Sequence, residues 1–187
     1  LHQEWYRATI AHNTVAVDEA NQASVDGQLQ SWKADGAMTE LVAMTREAYP
    51  GVTLRRHLRL DAEKLEDSFE CESTQMHTYD WAFHVAGTPI LDGAWEPSSG
   101  TLGQANGYQH IRLTHRRIVD QDWVMQWDLG DGVAVQLNFR AGPQTEAFVG
   151  RAPGRDPNEP LSVLVVRRRT NATRFVVTHR FVTRAGR

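Results

Sequence analysis

The chain has 187 residues, with 20 Lys and Arg against 23 Asp and Glu. A formal net charge of −3 gives the chain as a whole no electrostatic case for binding nucleic acid. Its single cysteine, Cys71, excludes an internal disulfide and a zinc–thiolate cluster, so a metal would need His and carboxylate ligands. A chain of this length covers about 70% of the surface its unfolded form exposes, which supports one well-buried domain. No run approaches the roughly 18 apolar residues that span a bilayer, and no membrane partner is expected.

Leu1-His2-Gln3-Glu4-Trp5-Tyr6 sets two large aromatics ahead of the first strand, as expected of the C-terminal part of a longer protein. Strand patterns then follow over 14–17, 38–45, 52–60, 65–71, 79–85, 111–119, 123–127, 133–139, 146–149, 161–168 and 175–182. Ten to twelve short strands with few helical periods predict an all-β fold, a large antiparallel β-sandwich. Turn chemistry separates them: Tyr49-Pro50-Gly51, Ala86-Gly87-Thr88-Pro89 and Gly150-Arg151-Ala152-Pro153-Gly154. Gly130-Asp131-Gly132 between two apolar alternations predicts a hairpin. Asp92 to Tyr108 reads as a long loop within a single domain spanning 1–187.

Alternation assigns faces. Odd positions of Val133–Phe139 are apolar and even ones are not, and Trp123, Met125 and Trp127 repeat that parity. Tyr79, Trp81, Phe83 and Val85 share the apolar parity of their strand, so Asp80, Ala82 and His84 take the opposite face. Val15 and Val17 likewise leave His12, Thr14 and Asp18 on the other side. A polar surface carrying His12 and His84 is the expected site.

Two chemistries suit that surface. Removing a proton beside a carboxylate needs a neutraliser, a base and an acid; Asn13 and an imidazole can donate to the carboxylate, and Tyr or neutral His can accept the proton. Alternatively two His and one carboxylate can hold zinc, here His12, His84 or His57, and Asp35.

The segment from Trp5 to Gln22, which contains His12-Asn13-Thr14-Val15, resembles the opening strand of the sandwich region of heparinase II/III-like polysaccharide lyases, a group that includes exolytic oligoalginate lyases. Ala48-Tyr49-Pro50-Gly51-Val52, Arg55-Arg56, His77-Thr78-Tyr79-Asp80-Trp81, Phe83-His84 and Gly150-Arg151-Ala152-Pro153-Gly154 follow in the order that family shows. The resemblance implies a β-sandwich packed on an N-terminal α/α toroid. The cleft between them would bind an acidic polysaccharide or oligosaccharide, of alginate or heparin/heparan type, and cleave it by β-elimination. It implies that His12 matches the sandwich histidine that reaches the cleft, with Asn13 and His84 supporting it. A structural zinc, with Asp18, Asp26 and Asp35 as alternative ligands, and a periplasmic or secreted place are implied as well. This chain alone is expected to be inactive.

The competing expectation is a non-catalytic carbohydrate-binding or structural module. Trp32 and Trp95, in loop-like contexts, are the expected sugar-stacking side chains. Tyr49 is a substrate contact under the lyase reading and a packing residue otherwise. Arg55, Arg56, Arg59, Arg112, Arg116 and Arg117 could hold acidic groups, or simply be solvated.

Overall fold

The odd-numbered apolar residues of Trp123–Phe139 and the short turns between strands translate into one buried sheet face. A computed structural model describes residues 1–156 and 158–183. Among them twelve strands run antiparallel: β1 (Val15–Val17), β2 (Gln28–Ala34), β3 (Thr39–Tyr49), β4 (Val52–Leu60), β5 (Leu65–Val85), β6 (Thr88–Ile90), β7 (Glu96–Pro97), β8 (Arg112–Val119), β9 (Trp123–Gly130), β10 (Val133–Phe139), β11 (Thr145–Ala152) and β12 (Leu161–Thr183). A π-helical turn, His2–Tyr6, and 3-10 turns at Thr9–Ala11 and Tyr108–His110 complete the chain.

Two pairs of expected strands merge. Residues 65–71 and 79–85 are the ends of β5, and residues 161–168 and 175–182 the ends of β12, 21 and 23 residues long. They pair along their length except where Ser73–Met76 stand opposite Asn171 alone. Extra residues on one strand bend and twist the ladder. The buried parity of β12 changes there, from Leu164 and Val166 to Phe175 and Val177.

One end of this long ladder carries β4, β3 and β2 beside β5, and β10, β9 and β6 beside β12; the other carries β1 on one side and β11, β8 and β7 on the other. The sheet therefore folds over itself, and its inner faces meet as the expected sandwich. Trp81 meets Phe139 edge-on at 5.4 Å, Phe83 lies 5.6 Å from Trp127, and Trp123 stacks on Phe139 at 4.3 Å. Such aromatic pairs add about 0.5–1.5 kcal/mol each beyond the area they bury.

A second apolar cluster lies on the outer face. Ala16, Ala82, Val163 and Val165 are covered there by Trp5, Ala8 and Ile10 and by Tyr108 and Ile111. Gly107 permits the close approach: at φ +93°, an added Cβ would lie 2.6 Å from that of Ala8. The amino-terminal segment and the 102–111 loop thus roof the layer that carries His84.

Candidate functional site

After the Thr9–Ala11 turn the chain leaves in an extended conformation at His12. The turn is clamped from both sides: Thr9 N–H donates to Asn21 Oδ1 and Gln22 N–H to Thr9 Oγ1, each at 2.8 Å. Ala82 N–H donates to Thr14 O at 2.9 Å, and Val15 pairs with Trp81, so the polar dipeptide His12-Asn13 is delivered beside His84.

Hydrogen bonding fixes the state of the second imidazole. His84 N–H donates to Asn13 Oδ1 at 2.7 Å, so the amide oxygen, not the nitrogen, faces β5. The same oxygen lies 3.2 Å from His84 Nδ1, which must therefore carry the hydrogen. Nε2 then holds the lone pair, buried and without a partner among the described residues. Burial, and secondarily the nearby His12, lower the pKa of His84 to about 4, and its ring meets Trp5 at 5.8 Å. A neutral, half-buried ring of this kind, with its Nε2 turned inward, orients its neighbours.

His12 is exposed, and its Nε2 lies 3.1 Å from Tyr6 O. A carbonyl only accepts, so Nε2 donates and Nδ1 of the neutral ring carries an available lone pair. Asn13 is pinned through its carbonyl, which accepts Arg56 Nη1–H at 2.9 Å. That guanidinium is itself gripped through two hydrogen bonds by the buried Asp67, at 3.0 and 2.7 Å. The His12-Asn13 backbone is thereby tied to both β4 and β5.

Beneath the roof lies a charged knot that sequence reasoning did not assign. Asp80, fully buried, accepts two hydrogen bonds from Arg167 and one from Tyr108 Oη, all at 2.7 Å. Arg167 also reaches Glu19 at 2.8 Å. Burial and the adjacent Asp80 push the Tyr108 phenol far above its ordinary range. The available signal was a single carboxylate centred in the aromatic run Tyr79–Phe83. Trp5 Nε1–H donates to Pro153 O at 2.9 Å and Tyr6 Oη–H to Gly154 O at 2.7 Å, which binds the roof to the loop after β11.

The structure gathers His12, Asn13 and His84 and leaves the other expected site residues elsewhere. Trp32 is 58% exposed on the edge strand β2, separated from β5 by β3 and β4. Tyr49 corrects the substrate-contact expectation: it is 5% exposed in the core and its hydroxyl donates to Ala20 O at 3.2 Å, so packing claims it. Trp95 is likewise buried, 6.0 Å from Trp123. Asp35 lies in the β2–β3 turn, where its carboxylate accepts the backbone N–H groups of Ala37 and Met38. His57 pairs with Glu40 at 2.5 Å, and Asp18 with His77 at 2.6 Å. The trio His12, His84 and Asp35 is not assembled, and among the described residues no three such side chains converge to hold a metal, so the zinc expectation finds no fitting donor set.

Five of the six arginines considered above face carboxylates: Arg55 with Glu70, Arg56 with Asp67, Arg59 with Glu66, Arg116 with Glu96 and Arg117 with Asp92. Arg112 has no such partner among the described residues.

The model of the heparinase II/III-like C-terminal family matches residues 2–148. An alginate lyase of Stenotrophomonas maltophilia (strain K279a) is 27% identical in an alignment covering 83% of this chain and 23% of that protein. A heparan sulfate lyase HepC mutant from Pedobacter heparinus shares the fold with a TM-score of 0.70 at 11% identity, over 98% of this chain and 26% of that one. The heparinase III BT4657 gene product does so with a TM-score of 0.64 at 17% identity, over 96% and 25%. The chain thus spans about a quarter of the length of these relatives. With the matched residues taking in β1 to β10 and the site between them, the chain belongs to the heparinase II/III-like family as its C-terminal domain.

Proposed function

We propose that this domain forms one wall of the glycan cleft of a polysaccharide lyase that cleaves uronate-containing chains, of alginate or heparin/heparan type, by β-elimination. The observation that carries the proposal is the union of His12, Asn13 and His84, with both imidazoles held in defined tautomers. Asn13 spends its oxygen on His84 and keeps its amide N–H groups for an incoming carboxylate. With that charge muted, His12 Nδ1 accepts the proton from the carbon bearing the carboxylate. The C–H electron pair forms the new double bond, and the bond to the departing glycosidic oxygen breaks. The leaving oxygen takes its proton from an acid on the opposing wall, an N-terminal α/α toroid of the same protein. His84 is a positioning residue that holds Asn13.

The relatives' names support the reaction class: an alginate lyase and a heparan sulfate lyase. A periplasmic or secreted place suits a large glycan substrate. The test is cleavage of alginate and of heparin, followed by the ultraviolet absorbance of unsaturated ends. This chain alone is expected to give none, and the chain joined to the toroid to give sustained turnover. Sustained turnover by this chain alone would overturn the division of labour proposed here.

A further inference from the structure

The unpaired Arg112 has a counterpart. In the β8–β11 ladder it stands directly opposite Arg151, a like-charged cross-strand pair, and such pairs destabilise a sheet unless a counter-charge is supplied. Arg151 donates from Nη2 to Pro160 O at 3.1 Å, and neither arginine meets a carboxylate among the described residues. The two line a cavity of about 360 Å³ together with His110, Pro153 and Pro160. His110 Nε2 is buried and has no hydrogen bond among the described residues, and the exposed Glu4 carboxylate lies 3.7 Å from it.

We infer that Arg112, Arg151 and His110 form an anion subsite that takes one carboxylate or sulfate group of an acidic glycan. Two guanidinium groups and an imidazole N–H supply charge-assisted donors suited to either oxyanion. The bound anion would relieve the repulsion that the register imposes on the arginines. The subsite adjoins the proposed cleft through one side chain: the Trp5 ring lies 5.8 Å from His84 and 6.1 Å from His110, and its Nε1–H is bonded to Pro153 O. A glycan with its reacting sugar at His12 and Asn13 would therefore pass over the roof that encloses Trp5, itself 2% exposed, and place a more distant acidic group on the arginine pair. This assignment of a subsite rests on the lyase reading; the existence of the anion site does not.

The experiment follows the His110 ring and arginine side-chain signals of this chain by NMR during titration with inorganic sulfate, with acetate, with an alginate oligosaccharide that carries only carboxylates, and with a heparin oligosaccharide. The double variant Arg112→Gln/Arg151→Gln is compared with Arg46→Gln, an exposed arginine on β3; an unchanged amide spectrum establishes that each is folded. Saturable shifts at His110, weakened at least tenfold in the double variant and preserved in Arg46→Gln, are expected. A stronger response to sulfate and heparin identifies the sulfate ester as the group bound, and an equal response to acetate and alginate identifies the carboxylate. No saturable shift at His110 with either small anion, or equal binding by the double variant, would overturn the site. Binding of sulfate or acetate without either oligosaccharide would keep the anion site and refute its place in a glycan cleft. Oligosaccharide binding untouched by the double variant would refute the subsite and leave the cleft reading standing.

Discussion

His84 makes a quantitative claim about acid sensitivity. Burial lowers its pKa from 6.5 to about 4, and burial does the same to His179, which lies against Trp81 and Phe83. In each case the unfolded chain binds the proton more readily than the folded one, so the stabilisation is complete above the unfolded pKa and is lost as the pH falls toward the folded value. At 1.36 kcal/mol per unit, each ring withdraws about 2 kcal/mol of stability between roughly pH 7 and pH 5. Urea denaturation of the wild-type chain and of His84→Gln across that interval measures the slope. The wild type should lose about 4 kcal/mol from the two rings together, and His84→Gln about half of that. Ring NMR signals should keep His84 neutral until the pH nears 4. Equal slopes for the two proteins would refute the burial argument.

Asp80→Ala should destabilise the chain by about 3–5 kcal/mol in urea denaturation, because it removes the fully buried carboxylate that Arg167, 20% exposed, and Tyr108 both bond; a loss below ~1 kcal/mol would mean that the knot does not hold the roof. Gly107→Ala places a methyl 2.6 Å from Ala8 Cβ and 2.9 Å from Ile10 Cγ2 at a positive φ, and should cost about 1–3 kcal/mol by the same measurement. Trp32→Ala, at an exposed edge, should leave stability within about 0.5 kcal/mol. It should also leave binding of an acidic oligosaccharide unchanged; loss of that binding would favour a non-catalytic binding module.

The sequence made face assignment possible wherever alternation was strict. Trp123, Met125, Trp127, Val135, Leu137 and Phe139 all point inward, and β4 and β10 begin and end where the pattern places them. His84 does lie on the face opposite Trp81, and His12 reaches it. What alternation could not reveal is that this face is roofed, because its cover comes from Trp5, secured 148 residues away at Pro153. The edge strand β2 escaped detection because every position except Ser31 is exposed, leaving no apolar rhythm. The polar stretches 72–76 and 169–173 resembled breaks, yet β5 and β12 stay extended through them and pair again on either side of the irregularity at Ser73–Met76 and Asn171. Tyr49, ahead of Pro50-Gly51, was open to packing, which the structure shows, whereas the loop composition around Trp95 gave no sign that its ring folds into a core assembled by distant strands.

His12 carries the account, and turnover by the complete protein, toroid included, tests it most directly. Initial rates of unsaturated-end formation from alginate and heparin, compared between the wild type and His12→Ala at saturating substrate, isolate its chemical step. Loss of a proton acceptor typically lowers kcat by about 10²–10⁴-fold, and that loss is expected here, with the β domain's denaturation midpoint unchanged. An undiminished kcat in a folded His12→Ala protein would contradict the account.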